Sequence, residues 1–353
     1  MHLPVYRTLY LDKLLEENEN IYSSRDSHFR EIVKNFKTIN EADYEEPASL
    51  SGIMRGYQKK GYRWLRTLET CGFGGILADD MGLGKTLQAI AVLLAAKEEG
   101  RTGATLIVCP ASLVFNWGEE LERFAPQLKV LLITGSQEER RQKLDEYTSY
   151  DVLVTSYDLL KRDIVSYEDK EFLYEIIDEA QYIKNHTTAA SKAVKVIKRQ
   201  FRYAMTGTPI ENRLSELWSI FDYLMPGFLY SYEIFKRKIE TPIVKNGDED
   251  AMKRLQKMTG AFILRRLKSD VLKDLPDKLE EIRYVKMEKP QQKIYDAQVV
   301  HMQTQLAEQD DAQFHKNKIQ ILAELMKLRQ ICCDPGLCFE DYRNESAADP
   351  KRH

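Results

Sequence analysis

Gly75-Ile-Leu-Ala-Asp-Asp-Met-Gly-Leu-Gly-Lys-Thr86 decides how the rest of this sequence reads. The apolar run Gly75 to Ala78 gives way to a glycine-spaced loop, and Thr86 to Glu98 then follows with helical patterning. Strand, glycine loop and helix N-terminus are what a phosphate-binding loop requires. Glycines let backbone N–H groups close around phosphate oxygens, and the helix dipole favours the anion. Lys85 would reach the β- and γ-phosphates, and Thr86 would place its hydroxyl on Mg²⁺. Asp79 stands where such a loop usually has its first small residue. A glycine-rich turn with an exposed lysine would leave the flanking strand and helix unexplained.

Outward from that loop, apolar runs alternate with helical or polar segments as far as about Leu224. The expected strands are Gly75–Ala78, Thr105–Cys109, Val130–Ile133, Asp151–Val154, Tyr174–Ile177 and Arg202–Met205. Such alternation predicts an α/β fold, a parallel sheet with helices on both faces. Ligands of these sheets bind at the strand carboxyl ends, and the chemistry-bearing motifs fall there. Residues 1–50 read as polar helices, Tyr10–Glu19 and His28–Lys37, forming a connector or the tail of an upstream domain. The nucleotide-binding lobe spans 51–226, a helical protrusion and basic linker 227–285, and a helical extension 286–353. That extension reads as a long helix from about Pro290 to Gln330, broken at Pro335-Gly336 and followed by a disordered end.

Asp178-Glu-Ala-Gln181 follows the strand at Tyr174–Ile177. Asp178 can hold Mg²⁺ through water while Glu179 orients and deprotonates the attacking water. Acidic pairs are common on surfaces, so the weight comes from a phosphate loop on a neighbouring strand. Thr206-Gly-Thr-Pro209 ends another strand, and its hydroxyls could sense the γ-phosphate; alone it would read as a turn.

Charge and cysteine content bound the alternatives. With 43% hydrophobic and 30% charged residues the 353-residue chain is an ordinary globular composition, and a net charge of −3 is no polyanion magnet. Any DNA contact must come from a local patch. Lys253 to Lys273 holds seven basic residues against one acidic, which suits DNA contact or interlobe bracing slightly better than plain solvation. Lys192, Lys195 and Arg199, opposite Ala190, Ala193, Val194 and Ile197, read as an ordinary amphipathic helix. Trp64, Trp117 and Trp218 read as core packing. Five scattered cysteines make a poor disulfide framework, and Cys332, Cys333 and Cys338 lack zinc-ligand spacing, so they read as buried thiols near a helix end. No apolar run is long enough to span a bilayer and the charged N-terminus lacks a signal peptide, which predicts a cytoplasmic, nucleoid-associated protein.

Taken together, these motifs resemble the Swi/Snf-type ATPases of helicase superfamily two, in a bacterial form. Asp79-Asp-Met-Gly-Leu-Gly-Lys-Thr86, Asp178-Glu-Ala-Gln181 with Ile183-Lys-Asn185, and Thr206-Gly-Thr-Pro-Ile-Glu-Asn212 are similar to the family's motifs I, II and III. Arg55-Gly-Tyr-Gln58 resembles its Q motif, whose glutamine reads the adenine edge. Cys109-Pro-Ala-Ser-Leu113 with Asn116-Trp117, and Thr155-Ser-Tyr157, resemble its DNA-facing motifs. Leu264-Arg-Arg-Leu-Lys268 with Leu275-Pro276 and Lys278 looks like its basic linker. The resemblance runs from about residue 50 to 338 and implies a RecA-like lobe.

It also implies roles. Lys85, Asp178 and Glu179 would be catalytic. ATP would be bound by Arg55, Gln58 and the loop Asp79, Asp80, Met81, Gly82, Leu83, Gly84, Lys85 and Thr86, with Mg²⁺ on Thr86 and Asp178. Gln181, Thr206, Gly207 and Thr208 would couple hydrolysis to motion, although Gln181 stands where many relatives have histidine. Pro110, Ser112, Asn116, Trp117, Thr155, Ser156, Lys184 and Asn185 would face double-stranded DNA. The family's second RecA-like lobe, which supplies arginine fingers, does not follow in this sequence. The expectation is therefore a monomeric half-motor that binds ATP without turning it over, with Arg265 and Arg266 serving the linker rather than the ATP site. A nucleotide-regulated docking module and a P-loop small-molecule kinase remain as alternatives; the kinase reading has no lid to support it.

Overall fold

The computed structural model describes residues 8–17, 26–37, 44–208, 213–271, 284–307, 318–339 and 342. The expectations for Pro209 to Asn212, for Leu275, Pro276 and Lys278, and for a disordered C-terminal end lie outside the described residues. The chain divides into two compact units, residues 1–275 and 276–353.

The first unit is built on seven strands: β1 (Gly75–Leu77), β2 (Thr105–Cys109), β3 (Val130–Leu132), β4 (Val152–Ser156), β5 (Glu171–Ile177), β6 (Lys198–Met205) and β7 (Ile263–Leu264). They pair in the order β3-β4-β2-β5-β6-β1-β7, and every pairing is parallel. Residues of β2 and β4 are buried along their whole length. This is why they read as unbroken apolar runs, since each fully buried Val, Leu or Ile contributes about 1.5–3 kcal/mol. Helices cover both faces, as the alternation predicts.

Strand ends differ from the sequence expectation where charge hides the pattern. β5 begins at Glu171 and β6 at Lys198: in β6 the exposed Lys198 and Gln200 mask the strand, whereas in β5 Glu171 alone is exposed and the buried Phe172 and Leu173 extend the apolar run. β7 was not expected at all. It is two residues long and lies inside the basic run, yet it pairs with β1 through Ile76↔Ile263 and Leu77↔Leu264. Phe262 fixes its approach by packing edge-on against Phe73 and Phe228, at centroid distances of 5.4 and 5.1 Å. The Trp64 indole N–H donates to the Ala261 carbonyl at 3.1 Å.

The helix Lys85–Glu98 is buried almost all round. Four alanines, Ala89, Ala91, Ala95 and Ala96, let it lie close between the sheet and the helix Gly56–Thr70. The protrusion consists of helical turns at Tyr232–Phe235, Lys236–Glu240, Thr241–Asn246 and Glu249–Thr259. Near the N-terminus, the helices Thr8–Glu17 and Ser27–Lys37 add Leu9, Ile32 and Val33 to the same hydrophobic core.

The second unit corrects the expectation of one long helix. Lys289–Ala307 and Lys318–Cys333 are separate helices. Gln291 donates to the Ile331 carbonyl at 2.7 Å, and Gln298 reaches Glu324, so the two run antiparallel. A 3₁₀ turn at Pro335–Leu337 closes the second helix. Cys332 and Cys333 are exposed rather than buried, and all five thiols are free.

Arg199 also departs from expectation. It lies on β6, and its side chain, 3% exposed, pairs at 2.9 Å with a wholly buried Glu175. Burial pushes the Glu175 carboxyl up, and Arg199 and Arg202 pull it back. Breaking a buried pair costs far more than the pair contributes, about 3–5 kcal/mol. Arg199→Met should therefore destabilise the first unit. The unfolded carboxyl titrates near 4.5, and in the variant the folded one is raised further above it. With the wild-type folded carboxyl pushed up to about 8, both folded states keep the proton at about pH 6, so the electrostatic part of the deficit should be absent there and appear at about pH 9. Urea unfolding at both pH values measures it, and a deficit independent of pH would show that Arg199 does not hold the charge.

Candidate nucleotide-binding site

All-parallel pairing places the carboxyl ends of β1, β2, β4, β5, β6 and β7 on one edge, and the sequence motifs meet there. After β1 the loop reaches the helix Lys85–Glu98 through Gly82 and Gly84, at φ 83° and 72°. At Gly84 a Cβ would also overlap the Gln58 amide, so only glycine fits this approach. Gln58 is buried; it donates to the Leu83 carbonyl at 3.1 Å and accepts from the Arg55 N–H at 2.8 Å. Its amide thus joins the loop to the start of the helix Gly56–Thr70. Arg55 and Met81 are exposed at the rim. The Lys85 ammonium folds back onto the Asp79 carbonyl at 2.8 Å. Thr86 lies close to the Glu120 carboxylate and opposes the effect of burial on it.

Asp178, at the tip of β5, is buried and tightly held. Trp117 Nε1–H donates to its Oδ2 at 3.0 Å, and the Glu179 N–H donates to its Oδ1 at 2.8 Å. The Tyr157 hydroxyl donates to its backbone carbonyl at 2.7 Å. Burial raises the Asp178 carboxyl; the Trp117 and Glu179 hydrogen bonds oppose this, Glu179's own charge adds to it, and Lys85 also opposes it. Glu179 adopts φ 51°, ψ 57°, a left-handed conformation that costs a non-glycine residue about 1–3 kcal/mol. Gln181 steadies it by donating to Glu179 Oε2 at 2.7 Å, while Thr206 Oγ1–H donates to Gln181 Oε1 at 3.0 Å. The Thr208 N–H in turn donates to Thr206 Oγ1 at 3.1 Å. A glutamine in this position therefore bridges β5 to β6 by using both ends of its amide. Gly207 lies beside the Met81 side chain.

The DNA-facing set divides. Ser112, Asn116 and Asn185 are exposed, and Lys184 is half-buried. Pro110 is buried. Three residues of that set need correcting. The Thr155 side chain is fully buried, Ser156 spends its hydroxyl capping the Leu159 N–H at 3.3 Å, and Trp117, 1% exposed, serves Asp178. Core packing was the better reading of Trp117, but incomplete.

Sequence reasoning missed Glu120, and it read Tyr157 as part of a DNA-facing motif where its hydroxyl in fact bonds the Asp178 carbonyl. Glu120 shares one face of the helix Val114–Phe124 with Trp117, three residues apart, so a single helix touches both Thr86 and Asp178. That spacing was visible; its target was not. The reading of Arg266 also needs correcting. It belongs to the phosphate loop: its Nε donates to Asp79 Oδ1 at 2.8 Å, and its terminal nitrogens reach Asp79 Oδ2, Gln88 Oε1 at 2.7 Å and the Tyr57 carbonyl. Among the described residues, no cluster of His, Cys, Asp and Glu is grouped to hold a metal on protein ligands alone.

Trp117→Phe keeps the ring and deletes the N–H. With one donor to its charged form gone, the Asp178 carboxyl should titrate at a higher pH than in the wild type. Carboxylate carbon shifts across a pH series read the midpoint directly. An unchanged midpoint would mean that the indole contributes packing alone.

The chain matches the SNF2-related domain over residues 57–337 and the bacterial SNF2 helicase-associated domain over residues 1–47. It is 42% identical over 280 residues to an ATP-dependent helicase of Mycoplasma genitalium, covering 79% of this chain and 26% of that protein. It is 34% identical over 345 residues to the TATA-binding protein-associated factor MOT1 of Saccharomyces cerevisiae, covering 90% of this chain and 18% of that one. Among solved structures it is similar to the Sulfolobus solfataricus SWI2/SNF2 ATPase core in complex with double-stranded DNA. That match has 42% identity and a TM-score of 0.61, over 83% of this chain and 61% of that one. The chain thus spans about a quarter or less of these two curated relatives. Among the described residues no helix is long and apolar enough to cross a membrane. The motifs at the strand tips and the match over residues 57–337 agree, and the chain belongs to the SNF2 family of ATP-dependent helicase-like proteins.

Proposed function

We propose that this chain is the ATP-binding lobe of a DNA-dependent ATPase that translocates on double-stranded DNA and remodels protein–DNA complexes. The observation that carries the reading is the shared edge of the sheet: Lys85 and Thr86 follow β1, Asp178 and Glu179 follow β5, and Thr206 follows β6, which lies between them. A loop for phosphates, a carboxylate for the metal and a carboxylate for water thus meet at one edge, and Gln181 bonds both Glu179 and Thr206. Mg²⁺ would be held by Thr86 and Asp178, where it neutralises charge on the β- and γ-phosphates. Glu179 would orient and deprotonate water, and the Gln181 bridge would carry its position to the Thr206 loop. The structure solved with double-stranded DNA supports that partner, with Ser112, Asn116 and Asn185 as the exposed donors here.

Phosphoryl transfer in this site also needs positive charge across from Lys85, a contribution of about 10³–10⁵ in rate where an arginine supplies it. Arg266 is committed to Asp79, so a second lobe of the parent protein would bring that charge. Residues 1–353 should bind Mg²⁺·ATP but hydrolyse it near background with or without duplex DNA, and joining them to that lobe should make turnover DNA-dependent. Robust DNA-stimulated hydrolysis by residues 1–353, lost on Lys85→Ala, would overturn the half-motor reading.

Two substitutions separate binding from chemistry. Lys85→Ala removes a charged donor worth about 1.5–3 kcal/mol, so calorimetric affinity for ATP should fall roughly tenfold or more; equal affinity would refute the assignment of the loop. Glu179→Gln in the two-lobe protein should leave binding close to wild type while turnover collapses. Retained turnover would assign the base elsewhere.

A further inference from the structure

The phosphate loop opens with an acidic residue, which is electrostatically the wrong sign. Asp79 is 0% exposed, and its backbone carbonyl holds the Lys85 ammonium at 2.8 Å. A bare carboxylate there would repel the phosphates and compete with them for Lys85. The side chains bonded to this carboxylate, Gln88 and Arg266, lie outside the loop. The cancelling charge comes from 187 residues further along the chain.

Arg266 grips both Asp79 oxygens through Nε and a terminal nitrogen, a side-on bidentate pairing that fixes orientation as well as charge. Its guanidinium also lies over the Tyr57 ring at 5.3 Å from the centroid and shares Gln88 with Asp79. Gln88 Nε2 donates to Asp79 Oδ2 at 3.2 Å and its Oε1 accepts from Arg266 at 2.7 Å. Room for this arrangement exists because residue 61 is glycine; a Cβ there would overlap Gln88 Oε1 and press on the guanidinium. The backbone repeats the connection. The Asp80 N–H donates to the Arg266 carbonyl at 3.0 Å, and the Lys268 N–H donates to Asp80 Oδ2 at 3.0 Å.

We infer that Arg266 is a positioning residue for ATP: it neutralises Asp79 and so leaves Lys85 free for phosphate, which makes nucleotide affinity depend on docking of the segment β7–Lys268 against β1. The inference rests on the nucleotide reading of the site and adds a control element to it. Arg266 touches no phosphate in this account. It acts through Asp79, and because it rides on the segment that leads out of the lobe, displacement of that segment uncovers the carboxylate.

The test is a charge-rescue cycle on residues 1–353, read by calorimetry with Mg²⁺ and a non-hydrolysable ATP analogue and accompanied by thermal unfolding of each variant. Arg266→Gln should weaken binding by about tenfold or more. Arg266→Gln combined with Asp79→Asn removes both charges and should recover most of that loss. Equal affinity of Arg266→Gln and wild type would overturn the inference. So would a double variant that folds and binds as poorly as the single one, since a purely structural arginine is not rescued by removing the opposing charge. If the single variant does not fold, the double variant must fold and bind, and its failure to do so counts equally against the inference. Lys85→Ala is the control for the underlying reading. Wild-type binding indifferent to Lys85, or absent, removes the nucleotide site itself, whereas Lys85-dependent binding indifferent to Arg266 sinks only the arginine.

Discussion

Parallel pairing is the constraint on which this site depends. In an all-parallel sheet every strand delivers its following loop to the same edge, so Trp117 and Asp178, 61 positions apart, become neighbours without any local signal joining them. β2 and β5 pair through Val108↔Ile177, and this register alone brings the helix after β2 within reach of Asp178. Each register also forbids slippage. A shift of one residue would turn the buried faces of β2 and β4 inside out, and both faces of these strands are already packed.

Placing acidic groups at such an edge carries a desolvation cost, and the lobe meets it in two ways. Where a charge must remain available, as at Asp178, neutral donors hold it: an indole N–H and a backbone N–H. These favour the ionised form without competing for a divalent cation. Where a charge serves no ligand, as at Glu175, a guanidinium stands against it and opposes the effect of burial. Asp79 shares the second solution although it sits in the phosphate loop, which marks it as a charge to be silenced rather than used.

Much of the fold was legible because burial on both faces writes itself as apolar runs, and six of the seven strands fall within such runs or their extensions. β7 was illegible for a physical reason: two residues, Ile263 and Leu264, carry no periodicity, and the surrounding arginines and lysines dominate the reading. In the site, the glycines, Lys85, Asp178 and Glu179 could be read because each is required by local geometry or chemistry. Arg266, Glu120 and the Trp117 bond to Asp178 could not, because each acts on a residue brought near only by the sheet. Thr155 and Ser156 were misjudged in the opposite direction. Hydroxyls at a strand tip look available in sequence, but one is enclosed by packing and the other caps the helix that follows.

The helix Val114–Phe124 shows why the site would respond as a unit. Asn116, on its exposed side, meets Glu120 at 3.4 Å; Glu120 lies close to Thr86, and Trp117 holds Asp178. The Tyr157 hydroxyl, from the helix after β4, anchors the Asp178 carbonyl, and its ring stacks on Tyr182 at 5.1 Å with planes 3° apart. N–H···O bonds are made at about 2.7–3.2 Å and the Trp117 bond is 3.0 Å long, so the helix cannot move against the sheet by an ångström without releasing Asp178. Rotation of Asn116 alone would leave that bond intact. Any partner that displaces the helix therefore reaches the Asp178 carboxylate directly, while a partner that touches only the surface side chain does not.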